Sequence, residues 1–401
     1  MSLGIYISVP FCRTKCTYCN FASDVFSRAV FERYTDRVCA DIASAPQIAD
    51  QMASHLEREV DSIYLGGGTP TILDPADLRR MFTAVRHNFD IVSNAEITVE
   101  CAPGTVTPSV LDGLLACGVN RVSLGVQSFI DAEAASIGRL HKRAVVLDDI
   151  ARLRAAGIQN LNIDLIAGLP HQTAESWQES LAQTLDTGVA HVSVYMLEVD
   201  EDSRLGREVM AGGTRYHAHF VPDEEATADF YLSACEQLDA AGIAQYEISN
   251  FARTRSESLH NVKYWTRQPY LGFGVDAHSM LVSALPHADT IRFSTSDFLE
   301  KYVAGSTLHK AVVSRAAALE ETFFLGLRLN RGVDLREIAA NFGQPALQNL
   351  RPAIAGFVAD ELLQQTGDFI RLTPRGRLLS NDVFQAFLDT EPDPSRLPTG
   401  V

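Results

Sequence analysis

Strand-like and helix-like segments alternate along the first half of this chain, and that alternation constrains its fold more than any other feature. Six short β-rich runs occur in order, at residues 4–9, 62–65, 96–100, 121–125, 160–165 and 191–197. Helix-like segments separate them, for example at residues 24–45, 74–89, 108–117 and 174–187. This pattern predicts parallel strands joined by helical crossovers. Because six units are few for a closed eight-stranded barrel, we predict a partial (β/α)6 TIM-like barrel in an α/β protein, with a doubly wound sheet as the alternative.

The chain is predicted to continue beyond the barrel into two further parts. Residues 1–220 form the predicted barrel core, residues 221–305 an extension of it, and residues 306–395 a mostly helical, winged-helix-like domain. The extension opens with a proline followed by three acidic residues at 222–225, which is a strong helix start. In the last part, Gly367 and Asp368 separate two apolar runs, and this predicts a hairpin.

Charge and cysteine content narrow the classes of function. The net charge of −16 gives no electrostatic support for coating nucleic acid. The sequence has no run of 18 apolar residues and no basic leader before an apolar segment, so we expect neither a membrane span nor a signal peptide. Seven cysteines, three of them within eight residues, suit a metal site in a reducing compartment better than a disulfide framework. We therefore expect a cytoplasmic, metal-binding protein.

Cys12, Cys16 and Cys19 follow the first predicted strand with C-x3-C-x2-C spacing. One loop with this spacing can wrap three thiolates around a [4Fe–4S] cluster. The fourth iron then has no protein ligand, and an open metal position is what a substrate needs in order to coordinate. The alternative is structural zinc, which usually recruits two separated Cys/His pairs, and no second pair stands at a suitable spacing.

Glycines and polar residues stand where the predicted strands end. The sequence G-G-G-T-P-T at residues 66–71 matches neither the P-loop nor the dinucleotide-binding pattern. Its three glycines would let the backbone approach a ligand, whereas a plain tight turn needs only one or two. Glu100, Gln127 and Asp164 stand at or near the ends of strands three, four and five, and Arg139 follows Gln127 by twelve residues. Ligands bind at the carboxyl edge of parallel sheets, so these residues are candidates for a shared site.

The cysteine spacing after a first strand resembles the signature of the radical S-adenosylmethionine (SAM) superfamily. The resemblance implies a radical SAM barrel in which the amino and carboxylate groups of SAM chelate the fourth iron of the cluster. The reduced cluster of such proteins cleaves SAM to a 5′-deoxyadenosyl radical. The residues implied to contact SAM are Gly67, Gly68 and Thr69 (the amino group), Arg139 (the carboxylate), Glu100, Gln127 and Asp164 (hydroxyl and amino donors), and Tyr6 and Tyr18, for which core packing is the alternative.

Longer motifs narrow the resemblance to the oxygen-independent coproporphyrinogen III oxidase group, which contains the oxidase HemN and its relative HemW, a haem chaperone. These motifs are G-G-G-T-P-T, G-V-Q-S-F at 125–129, D-L-I-x-G-L-P at 164–170 and Y-E-I-S-N-F-A at 246–252. HemN has a further cysteine where this chain has Phe21, and a long arm before its first strand, which here is expected near residue 4. H-N-x-x-Y-W at 260–265 matches a motif typical of HemW. Together these features favour the HemW type.

The resemblance gives one histidine a specific role. Histidine is a common axial haem ligand, so His260 is implied to bind haem iron, with the aromatic pair at 264–265 covering a porphyrin face. Without the resemblance, a turn-capping histidine and a core-filling tryptophan are the simpler interpretation. His278 is a weaker candidate of the same kind, and His217 and His219 are expected to be solvent exposed.

The sequence leaves the function open between a chaperone and an enzyme. The leading hypothesis is a haem chaperone that passes haem to an acceptor protein, with the cluster and SAM in structural or regulatory roles. The alternative is an oxidase that oxidatively decarboxylates coproporphyrinogen III in porphyrin biosynthesis, and a radical SAM enzyme with another substrate is a third. The expected cofactors are a [4Fe–4S] cluster, SAM and haem. The expected partners are a haem acceptor, which could be membrane-associated, and a reductant, but no nucleic acid.

Overall fold

All six predicted β-rich runs form strands in the structure, a computed structural model that describes residues 2–388. The strands of the described residues are β1 (Leu3–Val9), β2 (Ser54–His55), β3 (Glu59–Gly67), β4 (Asp90–Cys101), β5 (Arg121–Gln127), β6 (Asn160–Ala167), β7 (His191–Met196), β8 (Ala244–Gln245), β9 (Asn250–Ala252), β10 (Tyr270–Gly274), β11 (His278–Ser283), β12 (Ala288–Ser294), β13 (His309–Ser314), β14 (Val333–Asp334), β15 (Leu363–Thr366) and β16 (Phe369–Leu372).

The helices follow the strands in the predicted alternation through the first half of the chain. They are α1 (Ala29–Ala43), α2 (Ala45–Met52), α3 (Pro75–Asn88), α4 (Pro108–Ala116), α5 (Asp131–Ser136), α6 (Arg143–Ala155), α7 (Ala174–Asp186), α8 (Arg204–Met210), α9 (Glu224–Ala240), α10 (Leu259–Trp265), α11 (Leu299–Ala304), α12 (Arg315–Arg328), α13 (Leu335–Phe342), α14 (Gln344–Ala359), α15 (Pro374–Leu378) and α16 (Ser380–Gln385), with 3-10 helices at Pro70–Ile72 and Arg215–Phe220. None of these helices is both long enough and apolar enough to cross a bilayer.

Seven neighbouring strands of the large sheet run parallel, in the order β10-β1-β3-β4-β5-β6-β7. The sheet continues in antiparallel fashion through β11, β12 and β13 at one end and through β9 and β8 at the other. Its order ends at β13 and β8, so within residues 2–388 the sheet stays open. This agrees with the predicted partial barrel.

The parallel strand that the sequence did not predict is β10. All five of its residues are buried, so it lacks the alternation of polar and apolar residues that marks a half-buried strand. Gly274, its last residue, has a φ of +102°, and a Cβ there would lie 2.2 Å from the carbonyl oxygen of Ser8. Only glycine therefore allows β10 to end so close to β1.

The two faces of the parallel strands differ in polarity. In β1, Ile5, Ile7 and Val9 are fully buried in the apolar core that the helices cover. The residues between them face the other side because successive side chains in a strand alternate. There the ring of Tyr6 lies 6.1 Å from the ring of Tyr64 on β3. This second face, called the polar face below, carries the side chains of the candidate site.

The predicted helix start after Pro222 is confirmed. Helix α9 begins at Glu224, and the side chain of Asp223 accepts a hydrogen bond from the N–H of Ala226. Two acidic residues occupy its first turn, where the helix dipole favours negative charge.

The C-terminal segment has an apolar core of its own. Helices α12 to α16 and the small sheet β14-β16-β15 surround Phe323, Ile338 and Ile370. Strands β15 and β16 form the predicted hairpin. The mostly helical, winged-helix-like prediction is thereby confirmed.

The limits predicted between the three parts stay predictions. Strand β13 follows the limit at 305/306, yet it pairs with β12 in the large sheet. Conversely, Ile248 from the predicted extension packs into the C-terminal core. Met1 and residues 389–395 of the predicted domains lie outside the described residues.

Candidate functional site at the carboxyl edge of the sheet

The loop that carries the three cysteines is closed at its base by backbone hydrogen bonds. The N–H of Cys12 donates to the carbonyl of Asp24 at 3.0 Å, and the N–H of Asp24 donates to the carbonyl of Pro10 at 2.9 Å. The Lys15 ammonium spans the loop and donates to two carbonyls at 2.6 and 2.8 Å. These contacts hold residues 12–19 as one closed loop at the carboxyl end of β1.

Cys12, Cys16 and Cys19 are half-buried, and none forms a disulfide. Burial raises the pKa of Cys12 and of Cys16, while the positive charges of Arg139 and Arg204 act in the opposite direction at Cys16. Among residues 2–388, no three His, Cys, Asp or Glu side chains converge as a single metal ion would require. Each thiolate of a four-iron cluster binds a different iron, so three cysteines in one wrapped loop fit a cluster without converging on one point.

The glycine loop after β3 lies directly against the cysteine loop. The N–H groups of Gly68 and Thr69 donate to the carbonyls of Val9 and Phe11, both at 2.7 Å. A Cβ at Gly68 would lie 2.7 Å from the Phe11 carbonyl and 3.0 Å from the Cys12 sulfur, so a side chain has no room there. A ligand next to the cysteines would therefore meet bare backbone.

Glu100 at the end of β4 accepts two hydrogen bonds. The hydroxyl of Tyr64 donates to its Oε1 at 2.9 Å, and the N–H of Gly67 donates to its Oε2 at 3.1 Å. Burial, and after it the negative charge of Asp164, raises the pKa of Glu100 to about 7. The carboxyl group therefore exchanges its proton near neutral pH.

Asp164 on β6 is oriented by its neighbours on the polar face. Ser123 donates to its Oδ2 at 3.0 Å, and the side-chain amide of Asn162 donates to its Oδ1 at 2.7 Å. Burial raises its pKa above the usual range. The side chain thus forms a second fixed acceptor on the same face as Glu100.

Oε1 of Gln127 and Nε of Arg139 are among the buried polar atoms near this edge that have no hydrogen-bond partner among the described residues. Another nitrogen of Arg139, Nη2, donates to the Tyr18 hydroxyl at 2.8 Å, which ties the arginine to the cysteine loop. Gln127 has a φ of +69°, a conformation that residues other than glycine rarely adopt. Buried polar atoms are nearly always paired, so these two indicate the place of a polar ligand.

The predicted SAM-contacting residues thus fall into connected groups at one edge. Cys12 contacts Gly68 and Thr69, Gly67 binds Glu100, and Arg139 binds Tyr18. An arginine, two acceptor carboxyls and exposed backbone match the carboxylate, amino and hydroxyl groups of SAM. The donor set therefore fits this cofactor.

His260 lies away from this edge, against the first half of the strands. Ser62, which pairs in register with Gly4 near the start of β1, lies 3.1 Å from its Nδ1. Its Nε2 lies 2.9 Å from the Tyr264 hydroxyl, and its backbone N–H donates to Glu96 at 3.2 Å. The residue is 1% exposed, and burial lowers its pKa to about 3. Both ring nitrogens are engaged within the protein.

Of the other residues expected to contact haem, two pack against protein side chains and one is exposed. The ring of Tyr264 lies 4.6 Å from Tyr270, and the Arg328 guanidinium lies 4.3 Å above the ring of Trp265. His278 is exposed, with its Nε2 3.7 Å from Asp276. One contact joins the two predicted sets, since the ring of Tyr6, a predicted SAM contact, lies 6.3 Å from the ring of His260.

Three residues of this site did not figure in the sequence interpretation. Tyr64 binds Glu100, Asn162 orients Asp164, and Arg204 donates to the carbonyl of Lys15 in the cysteine loop. The available signal was the recurrence of a polar residue at every second position of apolar strands, as in β6. No comparable pattern marks Arg204.

Comparisons with known proteins match the chain to two families of domains. The radical SAM superfamily matches residues 6–183, and the HemN C-terminal domain matches residues 313–379. The chain is 32% identical to the heme chaperone HemW of Bacillus subtilis over 386 residues, 96% of this chain and 98% of that protein. It is 29% identical to the heme chaperone HemW of Escherichia coli, with the same two coverages.

A solved structure shares the fold. Coproporphyrinogen III oxidase (HemN) from Escherichia coli, described as a radical SAM enzyme, superposes with a TM-score of 0.81 at 24% identity. The match covers 96% of this chain and 90% of that one. The predicted fold class is therefore confirmed for the barrel and for the C-terminal domain.

Proposed function

The chain belongs to the HemW family of radical SAM proteins, and from this we propose that it is a haem chaperone, which binds haem and passes it to an acceptor protein. The observation that carries the proposal is similarity to HemW relatives along the whole chain rather than along the barrel alone. The H-N-x-x-Y-W motif at 260–265 supports it, because that motif is typical of the same family.

In this proposal Cys12, Cys16 and Cys19 hold a [4Fe–4S] cluster. When bound, the cluster supplies an iron with an open position that can take the amino and carboxylate groups of SAM. The closed loop carries all three cysteines, and Gly68 keeps side chains away from Cys12. The protein thereby positions the cofactor.

The remaining residues of the edge orient SAM. Arg139 pairs with its carboxylate through a planar guanidinium whose Nε has no protein partner among residues 2–388. Glu100 and Asp164 accept hydrogen bonds from its amino and hydroxyl groups. The further proposed contacts are Gly67, Gly68 and Thr69 through the backbone, Gln127 through its unpaired Oε1, and Tyr6 and Tyr18 by packing.

We further propose that the protein works in the cytoplasm with a haem acceptor protein and a reductant. All seven cysteines are free of disulfides, which suits a reducing compartment. The donor set at the carboxyl edge supports SAM as a ligand, and the HemW relatives support haem.

The role proposed for His260 requires a movement. Haem iron needs an imidazole nitrogen that is free of other partners. Both ring nitrogens of His260 are engaged, with Ser62 and with Tyr264. Ligation by His260 therefore requires helix α10 to withdraw from the polar face.

A paired measurement tests the proposed function. Anaerobically purified protein with a reconstituted cluster is titrated with haem by Soret absorbance, and the haem-loaded protein is mixed with apomyoglobin to follow transfer with and without SAM. Separately, coproporphyrinogen III is incubated with the protein, SAM and a reductant. We expect stoichiometric haem binding, transfer to the acceptor and no turnover.

The control is a variant with all three cluster cysteines replaced by alanine. Turnover of coproporphyrinogen III by the wild-type protein above the level of this variant would contradict the chaperone and favour the oxidase. Failure of the wild-type protein to bind haem would contradict the proposal as well.

A further inference from the structure

Three histidines and a phenylalanine form an exposed group beside the cofactor edge. This group, the histidine patch, consists of His171, His217, His219 and Phe220. The Nε2 of His171 lies 3.0 Å from the Nδ1 of His217, and the N–H of His171 donates to the carbonyl of Phe220 at 3.0 Å. The Phe220 ring lies 4.1 Å from the ring of His171 and 4.0 Å from that of His219. The four side chains therefore form a linear series of contacts, yet are open to solvent.

The backbone of the patch is strained at the histidines themselves. His171 has a φ of +69°, and the adjacent Tyr216 and His217 have values of +56° and +61°. For residues other than glycine this conformation costs about 1 kcal/mol or more each. Such strain concentrates where a fold must aim particular side chains. Here it turns two imidazoles toward each other.

The patch is linked to the cysteine loop through Tyr216, the chain neighbour of His217. The Arg204 guanidinium lies 5.6 Å from the ring centre of Tyr216, and the same guanidinium donates to the carbonyl of Lys15, between Cys12 and Cys16. In addition, the N–H of Leu205 donates to a carbonyl of the loop at 2.8 Å. A ligand on the patch would thus be bound close to the cluster.

The chemistry of the pair suits an iron that needs only one protein ligand. Of the two imidazoles joined by this hydrogen bond, one accepts and the other donates. With His171 accepting at Nε2, His217 donates from Nδ1 and presents Nε2, which has no hydrogen-bond partner among the described residues. Ligating histidines typically have their second nitrogen held in this way.

We propose that His217 is an axial ligand of haem iron, oriented by His171, with the 47% exposed ring of Phe220 against the porphyrin face. The inference rests on the proposed haem-chaperone function. The porphyrin already supplies four nitrogen ligands to haem iron, so one oriented imidazole from the protein suffices. A free metal ion needs three or more protein ligands. An exposed aromatic ring next to the ligand suits a flat apolar macrocycle.

The test is a haem titration of the full chain with its cluster reconstituted, followed by Soret absorbance. The variant His217→Ala is expected to raise the haem dissociation constant about tenfold or more, and free imidazole is expected to restore the wild-type Soret position. His171→Gln keeps an acceptor and should retain most of the affinity, whereas His171→Ala should not. His87→Ala, an exposed histidine on α3, is the matched control.

The outcomes separate this inference from the function on which it rests. If the wild-type protein binds no haem, the proposed function fails. If the wild-type protein binds haem and His217→Ala binds it with unchanged affinity and spectrum, the inference is wrong. Loss of binding in His260→Ala but not in His217→Ala would likewise overturn it and assign the ligand to α10. Cluster absorbance in every variant reports that the chain is folded.

Discussion

At the scale of single residues, Glu100 is the group whose ionisation matters most. Burial and Asp164 raise its pKa to about 7 from an ordinary value of 4.5, against the opposing effect of the Tyr64 and Gly67 hydrogen bonds. Between these two values the folded state binds more protons than the unfolded state, so this group makes the protein less stable as pH rises. A cationic or hydrogen-donating ligand stabilises the carboxylate form of Glu100 and so lowers the pKa of this group.

SAM binding is therefore expected to strengthen as pH rises through about 7. Glu100→Gln should weaken SAM binding roughly tenfold or more, because a hydrogen bond to a charged acceptor is lost, and should remove the part of the pH dependence that Glu100 causes. Calorimetric titration of the reconstituted protein with SAM at several pH values measures both. Glu57→Gln, an exposed glutamate, is the control. An unchanged pH profile in Glu100→Gln would contradict this role.

The sequence motifs identified the site residues at the strand ends. They did not identify the side chains that orient those residues. Tyr64 orients Glu100 across two neighbouring strands, and that contact depends on the register between β3 and β4. The buried face of a strand decides which side chains point together, but which residue of the neighbouring parallel strand stands opposite depends on packing across the sheet. The contact between His217 and His171 could not be predicted either, because the two residues are 46 positions apart in the sequence.

At the scale of elements, helix α10 closes the first half of the polar face. The ring of His260 stacks on Tyr64 at 5.4 Å between ring centres, and Tyr64 in turn binds Glu100. Ser258 caps the start of this helix, and its hydroxyl accepts from the N–H of Asn261. Through Tyr64, helix α10 is therefore in contact with Glu100 at the cofactor edge.

Replacing His260 by alanine is expected to lower the free energy of unfolding by about 2 kcal/mol at neutral pH, because a buried ring and two hydrogen bonds are lost. The folded pKa of about 3 lies below the unfolded value of 6.5, so the unfolded state binds the extra proton and wild-type stability falls as pH decreases between them. The difference between wild type and variant should therefore shrink in acid. Urea denaturation of the apo-protein at pH values of about 7 and about 5 measures this.

Leu259→Ala provides the comparison for that experiment, since Leu259 stands on the same helix and is 49% exposed. A loss of stability equal to that of His260→Ala would contradict a specific contribution of the buried imidazole. The sequence predicted the six alternating strands well because each has a helix on one side. It missed the strands from β10 to β13 because tertiary pairing, not local pattern, defines them.

At the scale of the whole molecule, an ion-pair network joins the C-terminal helices to the large sheet. Glu321 on α12 accepts from Arg267 at 2.9 Å and from Arg292 of β12 at 3.1 Å. Arg267 also pairs with Asp289 at 2.8 Å. The carboxylate of Glu321 is only 15% exposed, so its loss leaves two arginines partly unpaired in a poorly solvated place.

Glu321→Gln is accordingly expected to reduce the unfolding free energy by about 2 kcal/mol. The reduction should appear together with faster proteolysis between the sheet and the C-terminal helices. Glu337→Gln, an exposed glutamate of α13, should leave both unchanged. Equal behaviour of the two variants in denaturation and limited proteolysis would contradict a coupling role for Glu321.

The central claim is that three sulfurs of one loop hold a four-iron cluster whose remaining iron accepts SAM. Electron paramagnetic resonance of the reduced, reconstituted protein tests it most directly. We predict a [4Fe–4S] signal that changes when SAM is added and that disappears when Cys12, Cys16 and Cys19 are replaced together by alanine. A signal indifferent to SAM, or one that survives loss of all three cysteines, would contradict the claim.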